Sequence, residues 1–96
     1  MLQEIEREEF ETLKGEALAV AFGAQQTEMR VLETGTIGGY TQRPKPPFRL
    51  VLAATPGCPL RQGMIQIDHP LRGRLEIFVT CIGADAGGTR YEAIFN

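Results

Sequence analysis

The sequence predicts a mainly β domain: a small antiparallel sandwich or barrel of about six strands with one short N-terminal helix. Apolar residues recur with a period of two along most of the chain that follows residue 15. Segments rich in Gly and Pro divide this part of the chain into runs of strand length. The chain has 96 residues, of which 43% are hydrophobic, and a chain of that size forms one modest core. We therefore expect residues 1–96 to form a single β-rich domain.

The N-terminal region is expected to contain the helix, over about residues 6–14. Its apolar residues are spaced by three, five and three positions, which traces a rough helical stripe: Leu2, Ile5, Phe10 and Leu13. Gly15 follows directly, where a helix C-terminus favours a left-handed residue. Because so short a helix is unstable alone, Phe10 and Leu13 must pack on the rest of the domain.

The strands are predicted from alternation and from apolar runs between turn residues. Residues 64–68 alternate apolar and polar side chains as a half-buried strand does, whereas 75–82 is nearly continuous in apolar residues, as in a strand buried on both faces. Residues 35–47 contain three glycines and three prolines and are predicted to form a long loop. The six predicted strands are residues 17–22, 27–33, 48–53, 64–68, 75–82 and 90–95. We expect the last strand to leave an open sheet edge that a neighbouring chain could extend.

Charge is distributed unevenly, with a net charge of −5 over residues 1–34 and +5 over residues 35–74. Such asymmetry can steer a partner or let copies stack head to tail. The alternative, which we favour, is that the two regions meet in the folded domain and neutralise each other. The whole chain carries a net charge of −2, which argues against nucleic-acid binding.

No assembled catalytic set is visible, and we predict that the protein is not an enzyme. The chain has no serine and a single histidine, His69. Asp68 precedes it, but adjacent strand residues point to opposite faces, so the two do not readily form a hydrogen-bonded pair. Cys58 as a nucleophile would have only His69 as its base. We therefore predict no catalytic, cofactor-binding or metal-binding residues and no cofactor.

The two cysteines, Cys58 and Cys81, are predicted to be reduced thiols, because the start of the chain is acidic and lacks the features of a secretory signal. The two cysteines are separated by 22 residues, of which one is a His, and this spacing does not fit a zinc site. The longest run free of charge and Pro, residues 17–27, is much shorter than a membrane span. We expect a cytoplasmic protein that does not contact a membrane.

Contacts with a partner are expected from basic and aromatic side chains of the long loop and from the last strand. The loop sequence from Arg43 to Pro47 has two interpretations: an extended polyproline segment read by a partner protein, or a stiff spacer between strands. We predict a protein partner or self-association, with a homo-oligomer as one form. The candidate contact residues are Tyr40, Arg43, Lys45, Arg49, Tyr91 and Phe95.

Much of the chain resembles a family of short bacterial proteins, about a hundred residues long, known as a domain of unknown function. The resemblance is carried by residues 8–10 and 13–16 near the start, by the segment from Pro47 to Leu52, by 60–64 leading into 67–70, and by the closing stretches 73–78, 82–85 and 91–96. It is most specific in the last fifty residues. The resemblance implies an association with phage-tail-like or collar-domain surface-fibre proteins and brings no catalytic residues.

The function expected from these observations is a non-catalytic structural or accessory subunit of a larger assembly, of the phage-tail-like or surface-fibre kind. Two alternatives stay open. One is a small ligand-binding β-barrel module in which the 35–47 loop folds over the mouth of the barrel. The other is an enzyme built on His69 with Cys58 or Asp68.

Overall fold

The computed structural model describes residues 2–38 and 43–96, which form a closed six-stranded antiparallel barrel. Its strand order is β1-β2-β3-β6-β5-β4, and a short helix precedes the first strand. The elements are a 3₁₀ turn at Leu2–Glu4, α1 at Glu8–Glu11, β1 at Ala17–Phe22, β2 at Gln25–Thr36, β3 at Phe48–Ala54, β4 at Gln62–His69, β5 at Gly73–Asp85 and β6 at Gly88–Phe95. The predicted mainly β class is confirmed, and of the two predicted architectures the chain adopts the barrel.

The barrel closes where β1 meets β4, with Val20 opposite Ile67 and Ala21 opposite Gln66. All the other strand pairs are also antiparallel. β6 lies between β3 and β5, so the prediction of an open sheet edge at the last strand was wrong. Closure removes sheet edges, which otherwise attract pairing with other chains.

Several predicted boundaries differ from the structure, most clearly those of the helix and of β2. The helix covers Glu8–Glu11 only, and residues 12–15 continue it as a turn that ends at Gly15, whose φ of +90° is the predicted left-handed conformation. β2 extends to Thr36 because Gly35 and Thr36 pair with the first residues of β3, so the predicted 35–47 loop begins later. Residues 39–42 of that loop lie outside the described part of the chain.

The core fills the interior of the barrel with inward-facing aliphatic and aromatic side chains. They come from every strand and include Val20, Met29, Leu50, Ile65 and Val79. The strand predicted to be buried on both faces, β5, alternates instead: Leu75, Ile77 and Val79 are buried, whereas the residues between them are exposed. In a small barrel only the inner face of each strand is covered, so the outer face meets water.

One end of the barrel is covered by residues 2–14, which we call the N-terminal plug. Ile5 and Phe10 are fully buried, as the helical stripe predicted. The Phe10 ring lies 6.5 Å from that of Phe48 and 5.9 Å from that of Phe95, which are themselves stacked at 4.4 Å. The plug therefore completes the core at the end where β3 begins and β6 finishes.

The acidic and basic parts of the chain meet in the folded domain. Lys45 pairs with Glu6 at 3.6 Å, and Arg72 pairs with Glu9 at 2.6 Å. Each pair joins a glutamate of the acidic region, residues 1–34, to a base of the basic region, residues 35–74. This is the interpretation of the charge asymmetry that we favoured from sequence. Among the residues that the structure describes, no helix has the length and apolar character that a membrane crossing requires.

Candidate functional site

His69, the only imidazole of the chain, is buried and has all its hydrogen-bonding capacity in use. Its Nε2–H donates to the carbonyl oxygen of Glu9 at 2.8 Å. Its Nδ1 accepts the backbone N–H groups of Leu71 and Arg72 at 3.1 and 3.2 Å. The ring is 3% exposed and meets the Phe10 ring edge-on at 5.1 Å. This arrangement fastens the plug to the β4–β5 turn and leaves no free nitrogen for a substrate.

The other two residues considered for catalysis do not converge on His69. The Asp68 carboxylate is on the outer face of β4, where Arg74 Nε donates to it at 3.3 Å, so it points away from the buried imidazole as predicted. Cys58 follows β3, at the barrel end opposite to the plug. Within residues 2–38 and 43–96, no group of three or more His, Cys, Asp and Glu side chains is placed to hold a metal ion.

The predicted contact residues of the long loop take part in contacts within the chain. The Arg43 guanidinium lies 5.4 Å from the centre of the Phe48 ring and donates to the carbonyl oxygens of Leu2 and Ile5. Burial lowers the pKa of Arg43. Lys45 reaches Glu6 of the plug. Tyr40 lies outside the described residues.

Arg49, on β3, joins three strands across the outer face of the barrel. It donates to Glu92 of β6 at 2.9 Å and to Glu33 of β2 at 3.2 Å. Tyr91 and Phe95, the other two predicted contact residues, are 0% and 5% exposed. The expectation that they contact a partner is therefore corrected: both side chains are on the inner face of β6 and belong to the core.

The exposed apolar surface lies elsewhere, on the second half of the chain. Five large hydrophobic side chains of the described residues are at least 47% exposed: Met64, Leu71, Phe78, Ile82 and Ile94. Met64 and Phe78 are direct cross-strand partners on the outer face of β4 and β5, each about half exposed. We call these two residues the outer apolar pair.

Sequence reasoning missed the outer apolar pair because residues 75–82 looked uniformly apolar. A signal was present: Glu76 and Thr80 are polar and flank Phe78 at a spacing of two, which assigns all three to one face. The same face of β4 carries Gln62, Met64 and Gln66. The outer face of this hairpin therefore has an apolar centre with polar residues on both sides along the strands.

The larger surface depressions of the described residues are shallow and small, with volumes of about 150 to 240 Å³. Typical pockets for small organic ligands hold about 300–1,000 Å³. One of them, lined in part by Leu2, Ile94 and Phe95, lies beside the plug. The inside of the barrel is occupied by buried side chains, as small barrels usually are.

The pKa of a carboxyl group is strongly lowered where the plug meets the β4–β5 turn. Arg72 donates to both carboxylate oxygens of Glu9, through Nε at 2.6 Å and Nη2 at 3.0 Å. These bonds lower the pKa of Glu9 to about 2, partly opposed by burial and assisted by the backbone N–H of Glu6. The Glu9 carboxylate therefore stays charged and held in place, which favours a structural role over proton transfer.

A family model described as a domain of unknown function (DUF6916) matches residues 5–95. No curated protein and no solved structure matches the chain.

Proposed function

The chain belongs to the DUF6916 family of domains of unknown function, and we propose that it is a non-catalytic interaction module that binds a protein partner through the outer face of β4 and β5. The outer apolar pair, Met64 and Phe78, carries this proposal. An apolar centre that is flanked by polar residues is typical of protein contact sites.

The size of the apolar surface indicates what kind of contact it supports. Two large side chains that are each about half exposed leave roughly 200 Å² of apolar surface in water. Burying that area gives about 5 kcal/mol before the costs of association are subtracted. Specific, stable interfaces bury about 800 Å² on each partner. The pair therefore suits the centre of an interface whose rim is supplied by the neighbouring polar residues.

Two further observations support a role in binding over one in catalysis. Both ring nitrogens of His69, the only histidine in the sequence, are hydrogen-bonded to backbone groups. The surface depressions are small, and the barrel interior is filled, which gives the ligand-binding alternative less support. The assembly that we propose for the module is a phage-tail-like or surface-fibre structure in a bacterium, as the sequence resemblance implies. Because Cys58 and Cys81 are unpaired, we propose that the protein acts in the cytoplasm.

The test is a comparison of two surface substitutions, Phe78→Asp and Leu71→Asp. Leu71 is a matched control, because it is 85% exposed but lies in the β4–β5 turn, away from the outer apolar pair. We expect tagged wild-type protein and Leu71→Asp to recover the same partner from the source cell, or to show the same self-association by light scattering. Phe78→Asp should reduce either form of binding at least tenfold while leaving the circular dichroism spectrum unchanged. Equal binding by all three proteins would reject this surface.

A further inference from the structure

The connection between β3 and β4, residues 55–61, crosses one end of the barrel, and we call it the strap. β3 and β4 are three places apart in the closed order of six strands, so they stand on opposite sides of the barrel. A chain that joins them has to pass over the opening at the end remote from the plug. Cys58 and Leu60 of the strap pack against the core from outside.

Two hydrogen bonds hold the second half of the strap to β5 and β6. The carbonyl oxygen of Leu60 accepts the Tyr91 hydroxyl at 2.6 Å. The carbonyl oxygen of Arg61 accepts the backbone N–H of Cys81 at 2.7 Å. The first half has weaker support: residues 55–57 are exposed, and the backbone N–H of Cys58 reaches the Thr55 carbonyl only at 3.4 Å.

Both cysteines lie around the Tyr91 side chain. Cys81 is the direct cross-strand partner of Tyr91, which puts their Cα atoms about 5 Å apart. Burial raises the pKa of the Tyr91 hydroxyl, and the neighbouring Cys58 thiol raises it further. Both thiols are free and half-buried. Cys58 ends the first, more exposed half of the strap, whereas Cys81 lies within β5.

We propose that Cys58 and Cys81 form a redox latch, in which an intramolecular disulfide locks the strap across the end of the barrel. The oxidant is a low-molecular-weight disulfide of the glutathione class. The Cys58 thiolate attacks it, which releases one thiol and leaves a mixed disulfide on Cys58. The Cys81 thiolate then attacks the Cys58 sulfur and releases the second thiol. Two electrons and two protons leave the protein, and the reverse sequence reopens the latch.

The order of attack follows from access. Cys58 lies on the wall of a surface depression of about 190 Å³ beside the β1–β2 turn, where an incoming disulfide can reach it. Cys81 is held in β5 by its backbone bond to Arg61. A disulfide requires Cα atoms about 4.4–6.8 Å apart, so the strap moves toward β5 as the bond forms. The shift is confined to residues 55–58, because Leu60 and Arg61 are already held by their hydrogen bonds.

The test is oxidation of the purified chain with glutathione disulfide, followed by tryptic digestion and mass spectrometry. Cleavage after Arg61 separates the two cysteines, so an intramolecular bond appears as a linked pair of peptides from a monomer that has lost two hydrogen atoms. We expect this species to predominate, to be reversed by dithiothreitol, and to unfold at a temperature several degrees above that of the reduced protein. Accumulation of glutathione adducts or of disulfide-linked dimers in its place would overturn the latch.

Two variants separate the latch from general thiol reactivity. Cys81→Ala should accumulate the mixed disulfide on Cys58, because no second thiol resolves it. Tyr91→Phe removes only the hydroxyl that holds Leu60, so we expect the linked species to form at least threefold more slowly. If the disulfide formed equally fast in Tyr91→Phe and in the wild type, the Tyr91 hydroxyl would have no role in positioning the strap. These readouts do not depend on the partner-binding surface of β4 and β5.

Discussion

A single buried imidazole ties three backbone groups together at one end of the barrel. His69 bonds to the plug through Glu9 and to the β4–β5 turn through Leu71 and Arg72. Each of these groups would otherwise be a polar atom near the core without a partner, which is costly. At the residue scale, therefore, the one side chain with obvious catalytic potential is used to join two segments about sixty positions apart in the sequence.

We predict that His69→Leu destabilises the fold by about 2–4 kcal/mol, because a leucine of similar volume neither donates nor accepts. The free energy of unfolding in urea, followed by circular dichroism, measures the effect. Asp68→Asn is the control, since its side chain is exposed, and it should change stability by less than about 0.5 kcal/mol. Equal stability of the two variants would show that the backbone groups find other partners.

At the element scale, the spacing between strands constrains which residues they can contain. Gly88 begins β6 and pairs across to Asp85 of β5, while its other side faces the last residue of β3, Ala54. A Cβ on Gly88 would lie 2.3 Å from the Ala54 carbonyl oxygen, and the glycine has a φ of +138°. Gly88 is therefore required both by the turn between β5 and β6 and by the close approach of a third strand, β3.

We predict that Gly88→Ala destabilises the protein by at least about 3 kcal/mol, since both the backbone conformation and the contact with β3 resist a side chain. Gly87→Ala is the matched control: its Cβ would meet only Asp85 Oδ1, at 3.3 Å. Thermal unfolding of the two variants measures the difference. If Gly87→Ala proved the more damaging change, the close approach of β3 and β6 would not be the limiting factor.

The N-terminal plug is an element whose stability comes from the surface it covers. Its α-helix has four residues, far fewer than a helix needs to persist in water. Phe10 reaches the core, and Glu9 binds Arg72. Thr34 of β2 adds a hydrogen bond to Glu11 at 2.6 Å.

At the scale of the whole molecule, glutamates at the acidic start of the chain pair with bases of the 35–74 region, and this links stability to pH. Hydrogen bonds from Arg72 lower the pKa of Glu9 to about 2 from an ordinary value of 4.5. The pKa of Glu11 is also lowered, chiefly by the Thr34 hydroxyl, and that of Asp85 by Arg90. A carboxyl with a depressed pKa in the folded state contributes stability above its ordinary pKa and loses it as the pH falls toward the depressed value.

We predict that the free energy of unfolding falls between about pH 5 and pH 2, and that Glu9→Gln makes this decline shallower. The difference between the wild type and Glu9→Gln should be greatest near neutral pH and shrink as the pH approaches 2, where Glu9 takes up its proton in the folded state too. Urea unfolding at a series of pH values measures both. Glu8→Gln, whose side chain is 67% exposed, is the control and should follow the wild-type slope. If the free energy of unfolding of Glu9→Gln fell in parallel with that of the wild type, Glu9 would not be a source of the pH dependence.

Local patterns in the sequence determined the β class, the approximate positions of the six strands, the plug residues that reach the core and the glycine that ends the helix. These features depend on neighbours within a few positions, where side-chain alternation and backbone freedom act directly. The alternation of residues 90–95 puts Tyr91 and Phe95 on one face of the last strand, but alternation alone does not say whether that face meets the core or the solvent.

Tertiary structure decided everything that depends on residues distant in the sequence. The pairing of β1 with β4 made the domain a barrel instead of a sandwich, and this turned Phe78 outward and Tyr91 inward. It also brought His69 to Glu9 and the strap to Cys81. The physical reason is that strand order, closure and ion pairing are set by contacts whose partners lie tens of residues apart, so no local window of the sequence contains them.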